Sequence, residues 1–164
     1  MNVSDLMSST VSVTLPTEPL MRAAQIMWDR DCGCVPVIDG DARLVGLVTD
    51  RDVCMAAYTT GGSLHDLSVE RAMTAPVYSC KQTDSLDAAH ACMREHELRR
   101  LPVTDDDGRL VGLISLSDMA QAASHAEGEA RARSALDLLQ TLGEVTRPRC
   151  SLKFKHAPLL TTDA

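Results

Sequence analysis

The stretch GLVTDRD, from Gly46 to Asp52, returns as GLISLSD, from Gly112 to Asp118, and this displacement of 66 residues constrains the fold more than any other feature of the chain. At that displacement residues 5 to 58 align with 71 to 124 without a gap. Met7 falls on Met73, Thr17 on Thr83, Leu20 on Leu86, Ala23 on Ala89, Met27 on Met93 and Pro36 on Pro102, and RLVGL at 43 to 47 is identical to RLVGL at 109 to 113. Two copies are too few for a stacked solenoid, so they are expected to pack on each other about a pseudo-twofold axis.

Each copy reads as β-α-β-β-α. Thr17 stands as an N-cap, Pro19 suits the first helical turn, and Leu20, Ala23, Ala24, Met27 and Trp28 recur at helical spacing, which predicts an amphipathic helix with those residues on its inner face. CVPVI at 34 to 38, the turn DGDA and RLVGLV at 43 to 48 predict a β-hairpin, followed by a helix from about Asp50 to Tyr58. Thr83, Leu86, Ala89 and Met93 repeat the first helix, and DDDG at 105 to 108 repeats the turn. A short strand is expected before each first helix, around Val11 to Val13 and Val77 to Ser79. The chain thus divides into a first unit at 1–60, a connector at 61–70, a second unit at 71–124, a C-terminal helix at 125–147 and a basic tail at 148–164. The C-terminal helix has no counterpart in the repeat, and its inner side is expected to carry Ala132, Ala135, Leu136, Leu139 and Leu142.

Composition narrows the function. Aromatic residues make up 2% of the chain and the net charge is −7, so stacking platforms for bases are scarce and a polyanion is repelled; nucleic acid is not an expected partner. No apolar run reaches the roughly 20 residues of a membrane span, and no signal-like start is present, so the expected setting is cytoplasmic and the six cysteines are expected to be reduced thiols.

The chemistry concentrates in the repeated stretch. A strand that ends in Thr49 and feeds a helix sets a hydroxyl beside backbone N–H groups that lack helical acceptors. One reading is local: Thr49 caps the helix and Asp52, three residues on, closes a capping box. The other uses the same physics for a ligand, because free N–H groups at the positive end of a helix dipole attract a phosphate, and Asp52 can accept hydrogen bonds from ribose hydroxyls. Ser115 and Asp118 offer the same pair in the second copy. Gly46 and Gly112, inside apolar strands, suit close backbone approach or a bend.

These residues resemble the paired CBS domain, or Bateman module: two GxxT/SxxD stretches, each preceded by a Pro-Val strand and an acidic turn, in register from residue 5 to about 124. The resemblance implies an α+β fold of two pseudo-twofold-related units packed through their sheets. Two clefts then bind adenosine-containing ligands such as AMP, ADP, ATP or S-adenosylmethionine as regulatory ligands, with no cofactor required. It assigns Thr49 and Asp52 to one cleft and Ser115 and Asp118 to the other, hydroxyl to phosphate and carboxylate to ribose. Cys32, Cys34 and Val11 would line the first cleft, and Leu98, Arg100 and Val77 the second. Arg100 stands where many family members place a phosphate-binding base, which favours the second cleft for a phosphorylated nucleotide; in the first, Arg51 compensates for Cys34. The resemblance also implies a homodimer joined through helices; as no catalytic or DNA-binding domain is read in the sequence, an effector protein is expected to be acted on in trans.

Other constellations carry less. Cys32-Gly33-Cys34 lacks the second pair or the histidines of a zinc site, and Asp105, Asp106 and Asp107 belong to a turn. No nucleophile, metalloprotease or phosphate-loop motif is present, so an enzyme is not expected. Two alternatives to the nucleotide sensor remain open: a thiol-based redox sensor using Cys32, Cys34 or Cys80, and a ligand-free interaction module docking through Leu136 to Leu142.

Overall fold

A computed structural model describes residues 1–146; the basic tail expected at 148–164 lies outside the described residues. The architecture is α+β. In the first copy α1 (Leu20–Asp29) is followed by the antiparallel hairpin of β1 (Cys34–Ile38) and β2 (Leu44–Thr49) and by α2 (Asp50–Thr60). In the second, β3 (Cys80–Lys81) pairs parallel with β4 (Arg100–Thr104), which pairs antiparallel with β5 (Leu110–Ser115). Between and after these strands come α3 (Leu86–Glu95) and α4 (Leu116–His125), and α5 (Gly128–Val145) ends the described chain. The strand expected at Val11 to Val13 is instead a single parallel bridge from Thr14 to Val37, and its counterpart begins at Cys80 rather than Val77. Val11 and Ser12 line a cavity, so the chain meets the sheet only after passing it.

The hairpin turns are built alike. Asp39 Oδ1 accepts from the backbone N–H groups of Asp41 (3.0 Å) and Arg43 (2.9 Å), and Asp105 Oδ1 accepts from Asp107 (3.0 Å) and Arg109 (2.8 Å). The two turns join across the pseudo-twofold axis, Leu44 N–H donating to the Gly108 carbonyl at 3.1 Å and Leu110 N–H to the Ala42 carbonyl at 3.0 Å.

The sequence repeat and the packing unit do not coincide. Val3 and Ser4 N–H groups donate to Asp84 and Gln82 carbonyls of the second copy, and Val69 and Glu70 donate to Glu18 and Pro16 of the first. Ser8 and Leu113 exchange two backbone bonds (2.9 and 3.0 Å), as do Thr74 and Leu47 (2.8 and 3.1 Å). Accordingly Val3 is buried in the core of the second copy, with Met93, Leu101, Val103 and Ile114, while Leu67 and Val69 are buried in the core of the first, with Leu20, Val35, Val37 and Val48. Each copy's opening segment thus completes the other copy's core.

This exchange explains the strand glycines. A Cβ at Gly46 would stand 2.5 Å from Met73 Sδ, and one at Gly112 would stand 2.7 Å from Met7 Sδ and 3.1 Å from the Ser8 carbonyl oxygen. Each glycine is the seat of a methionine arriving from the other copy.

Three expectations are corrected. Thr17 does not cap α1; Pro19 is the N-cap residue, and the first N–H groups of α1 donate to the connector, Leu20 to the Leu67 carbonyl (2.7 Å) and Met21 to that of Leu64 (3.1 Å). In α3 a side chain does the work, Ser85 accepting from Ala88 N–H. Trp28 is 87% exposed, not inward, because a residue eight positions after Leu20 is rotated by about 80° from it, and Ile26 lies on the buried arc instead. In α5 the inner face is Leu138, Thr141, Leu142 and Val145, which pack on α3 and α4, while Leu136 and Leu139 face outward.

Gly112→Ala should therefore destabilise the fold by about 1–3 kcal/mol through overpacking. In a Met7→Ala background, where the sulfur is gone, the same change should cost clearly less; urea unfolding of the four proteins in this cycle measures the difference.

Candidate functional site

Both helix starts are closed by capping boxes. Asp52 N–H donates to Thr49 Oγ1 (3.2 Å), while Asp52 Oδ2 accepts from Thr49 N–H (2.9 Å) and from the Thr49 hydroxyl (2.7 Å). Asp118 and Ser115 repeat this at 3.3, 2.8 and 2.6 Å. The strand places each hydroxyl in extended geometry just where the helix needs an acceptor, and the carboxylate completes the reciprocal pair. In each aspartate these bonds engage Oδ2, and Oδ1 takes no part in the box. Arg51 is exposed, its backbone N–H held by Asp50 Oδ1 at 2.8 Å.

Beside the first of these starts lies a cavity of about 310 Å³. One wall is the crossing segment Ser8, Thr10, Val11 and Ser12; the other is Arg30, Cys32 and Cys34, and Leu113 of the second copy completes the lining. Cys34 lies opposite Thr49 in the β1–β2 ladder, but Thr49 and Asp52 are not themselves among the residues that line the cavity. Val11 and Cys34 line one chamber, which touches both copies because Ser8 pairs with Leu113. Arg30, exposed and without an ion pair among the described residues, is a cation that sequence reasoning missed. The available signal was its position four residues before Cys34, on the same approach to the strand as Cys32.

The second copy departs at these positions. The repeat puts Tyr78 on Ser12 and His96 on Arg30, and their rings stack with centroids 3.6 Å apart and planes 12° from parallel. Val77 and Leu98 are half-buried beside this pair in sequence, and Arg100 lies opposite Ser115 in the β4–β5 ladder. The Arg100 guanidinium does not stay with its own copy: a Cβ on Gly33 would be 3.5 Å from both its terminal nitrogens and from Asp50 Oδ2. It reaches the first copy, where its charge acts on Cys34.

The thiols at these places are suppressed. Burial pushes Cys34 up to about 11, only partly opposed by Arg100, and burial first, then the Asp84 charge, pushes Cys80 up to about 12. Both are protonated at neutral pH and poor nucleophiles, which removes the main support for a redox sensor at those two positions. Among the described residues no group of three or more His, Cys, Asp or Glu side chains could hold a metal ion, and no helix is long and apolar enough to cross a membrane.

Comparison with known proteins places this geometry. The family model for the CBS domain matches twice, over residues 3–58 and 68–125. The CBS domain-containing protein YhcV of Bacillus subtilis is 32% identical over 119 residues, covering 73% of this chain and 83% of YhcV. Among solved structures, Hypoxic Response Protein I with two coordinated zinc ions superposes with a TM-score of 0.69 at 29% identity, over 77% of this chain and all of that one. CBSX2 in complex with AMP superposes with a TM-score of 0.67 at 27% identity, over 75% and 96%. The chain belongs to the CBS-domain family, as a tandem pair.

Because Asp118 closes a capping box, Asp118→Ala should lower stability by about 1 kcal/mol even without any ligand, and Asp52→Ala should do the same. Asn at either position should recover part of the loss, since an amide oxygen can still accept; thermal unfolding of the variants reads the effect.

Proposed function

We propose, from that family membership, that this chain is a regulatory module and not an enzyme, binding an adenine nucleotide, AMP first among them, in the cavity between its two copies. The observation that carries the reading is the 310 Å³ chamber with Arg30, unpaired among the described residues, at its wall, a size at the lower end for small-molecule sites. The solved complex of CBSX2 with AMP supports the choice of ligand. In this reading Arg30 and Arg100 supply positive charge for the phosphate, and Ser8, Thr10 and Ser12 supply hydroxyls. Thr49 and the Oδ1 of Asp52 take the sugar, and Val11, Cys34 and Leu113 flank the base. Cys32 is a wall residue, and Arg51 attracts the anion from outside. The second cleft, with Val77, Leu98, Ser115 and Asp118, is the weaker site, because Tyr78 and His96 occupy positions that are Ser12 and Arg30 in the first.

The chamber is lined by both copies, so a ligand that prefers one spacing between Val11 and Leu113 shifts the packing of the pair. That shift is the output, passed in trans to a cytoplasmic effector protein. Calorimetry with AMP, ADP, ATP and S-adenosylmethionine tests the reading: AMP is expected to bind, and Arg30→Ala to weaken it about tenfold or more by loss of a charge-assisted contact, with adenosine little affected. Absence of heat with all four ligands overturns the reading.

The same module is proposed to act as a homodimer through α1 and α2, where Trp28, Met55 and Tyr58 are 87%, 46% and 83% exposed. The counterpart helices α3 and α4 are covered by α5 of the same chain. Sedimentation should give a dimer mass for the natural chain and a monomer mass for the Trp28→Asp, Tyr58→Asp double variant; an unchanged mass removes this face from the assembly.

A further inference from the structure

A second chamber, of about 370 Å³, lies away from the cleft between the copies, walled by α3, α4 and α5 and closed at one side by the first residues of the chain. Because α5 has no counterpart in the repeat, this chamber is a feature of the added helix and not of the paired units. Its apolar lining includes Leu6, Leu86, Met119, Ala123 and Ala126. Its polar groups are His90, Asp137, Asp87, Arg133 and Ser134, with Ser85 and Met1 at the chain's N-terminal side.

His90 gives the chamber a direction. It is 6% exposed, and its Nδ1 stands 2.9 Å from Thr141 Oγ1. That hydroxyl has one proton, which it donates to the Asp137 carbonyl at 2.8 Å, and it already accepts from the Arg94 guanidinium at 3.1 Å. With the hydroxyl proton on the Asp137 carbonyl, Nδ1 is the donor of the His90–Thr141 bond, and a neutral imidazole then offers Nε2 as an acceptor. Burial holds the ring's pKa below its ordinary value, so it is neutral at pH 7. Nε2 makes no hydrogen bond among the described residues, and no fully buried side-chain nitrogen or oxygen among them lacks a partner, so Nε2 is not sealed off; His90 lines the chamber.

The charges complete the picture. Asp87 is engaged with Arg133 at 3.8 Å, whereas the Asp137 carboxylate has neither an ion pair nor a hydrogen bond among the described residues. Of the charges that act on the His90 ring, Asp137 is the strongest, with Arg94 opposing it and Asp87 adding to it. Arg133 is the cationic side chain along the lining.

We propose that this chamber is a binding site for a small organic amine, whose apolar body lies on Leu86, Met119 and Ala123 and whose ammonium group donates to His90 Nε2 and the Asp137 carboxylate. An ammonium satisfies both acceptors at once, and an anion of the same shape would meet Asp137 unpaired. The occupant would tie α5 to α3 and α4. This site does not depend on the nucleotide reading, and the two can fail separately.

The test is a titration of the full chain, isotopically labelled for NMR, with 2-phenylethylamine and with 3-phenylpropionate at neutral pH. The amine is expected to give saturable amide shifts in α3, α4 and α5, with at least about tenfold weaker binding of the acid and about tenfold weaker binding of the amine to Asp137→Asn. Ala126→Met, which fills the chamber without touching a charge, should abolish the shifts. No saturable shift with the amine, equal binding of amine and acid, an unaltered Asp137→Asn, or shifts confined to Val11 and Cys34 would each overturn the proposal.

Discussion

The exchange of opening segments between the copies is the interaction on which the rest of this structure depends. Val3 fills the second core, Val69 fills the first, and the bridges Ser8–Leu113 and Thr74–Leu47 fasten each crossing segment to the far strand. Neither copy has a complete core from its own consecutive residues, so the two are expected to form as one cooperative unit rather than as separable domains. The same crossing creates the chamber between the copies, because Ser8 to Ser12 must run past Cys34 before Thr14 can join the sheet. The glycines at 46 and 112 follow from it as well, since only a residue without a Cβ leaves space for Met73 and Met7.

Duplication made two equivalent backbone frames available, and side-chain identity then separated them. The backbone is alike down to the shared bulge before Ile38 and Thr104, the paired aspartate turns and the two capping boxes. Ser12 and Arg30 leave the first cleft open and cationic, whereas Tyr78 and His96 satisfy each other by stacking. Arg100 adds to the imbalance by lying across the boundary against Gly33 and Asp50. A chain with net charge −7 can still present local positive charge at Arg30 and Arg100, because at short range a guanidinium is not cancelled by a diffuse and screened mean field.

A second asymmetry comes from α5. Its inner face, Leu138, Thr141, Leu142 and Val145, covers the helices of the second copy, and the hydroxyl of Thr141 ties His90 and Arg94 to it. Among the described residues the helices of the first copy receive no such cover and carry Trp28 and Tyr58 in the open. One helix face is therefore occupied within the chain while its counterpart is left for something else, which gives a symmetric duplication two different outer surfaces.

The sequence alone determined the repeat, its register, the hairpins, the aspartate turns and the strand-to-helix boxes at Thr49–Asp52 and Ser115–Asp118, because each of these is local: periodicity, turn chemistry and caps act within a few residues. Its failures share one cause. Pro19 rather than Thr17 begins α1 because the connector carbonyls of Leu67 and Leu64, more than forty residues away, take the free N–H groups. The inner faces of α1 and α5 were misjudged at Trp28, Leu136 and Leu139 because apolar spacing marks a stripe but not what lies against it. Which copy owns Val3, where Arg100 points, and that Arg30 stands at a chamber wall were decided by tertiary packing. These relations join residues far apart in the chain, and only the folded backbone brings them within reach of one another.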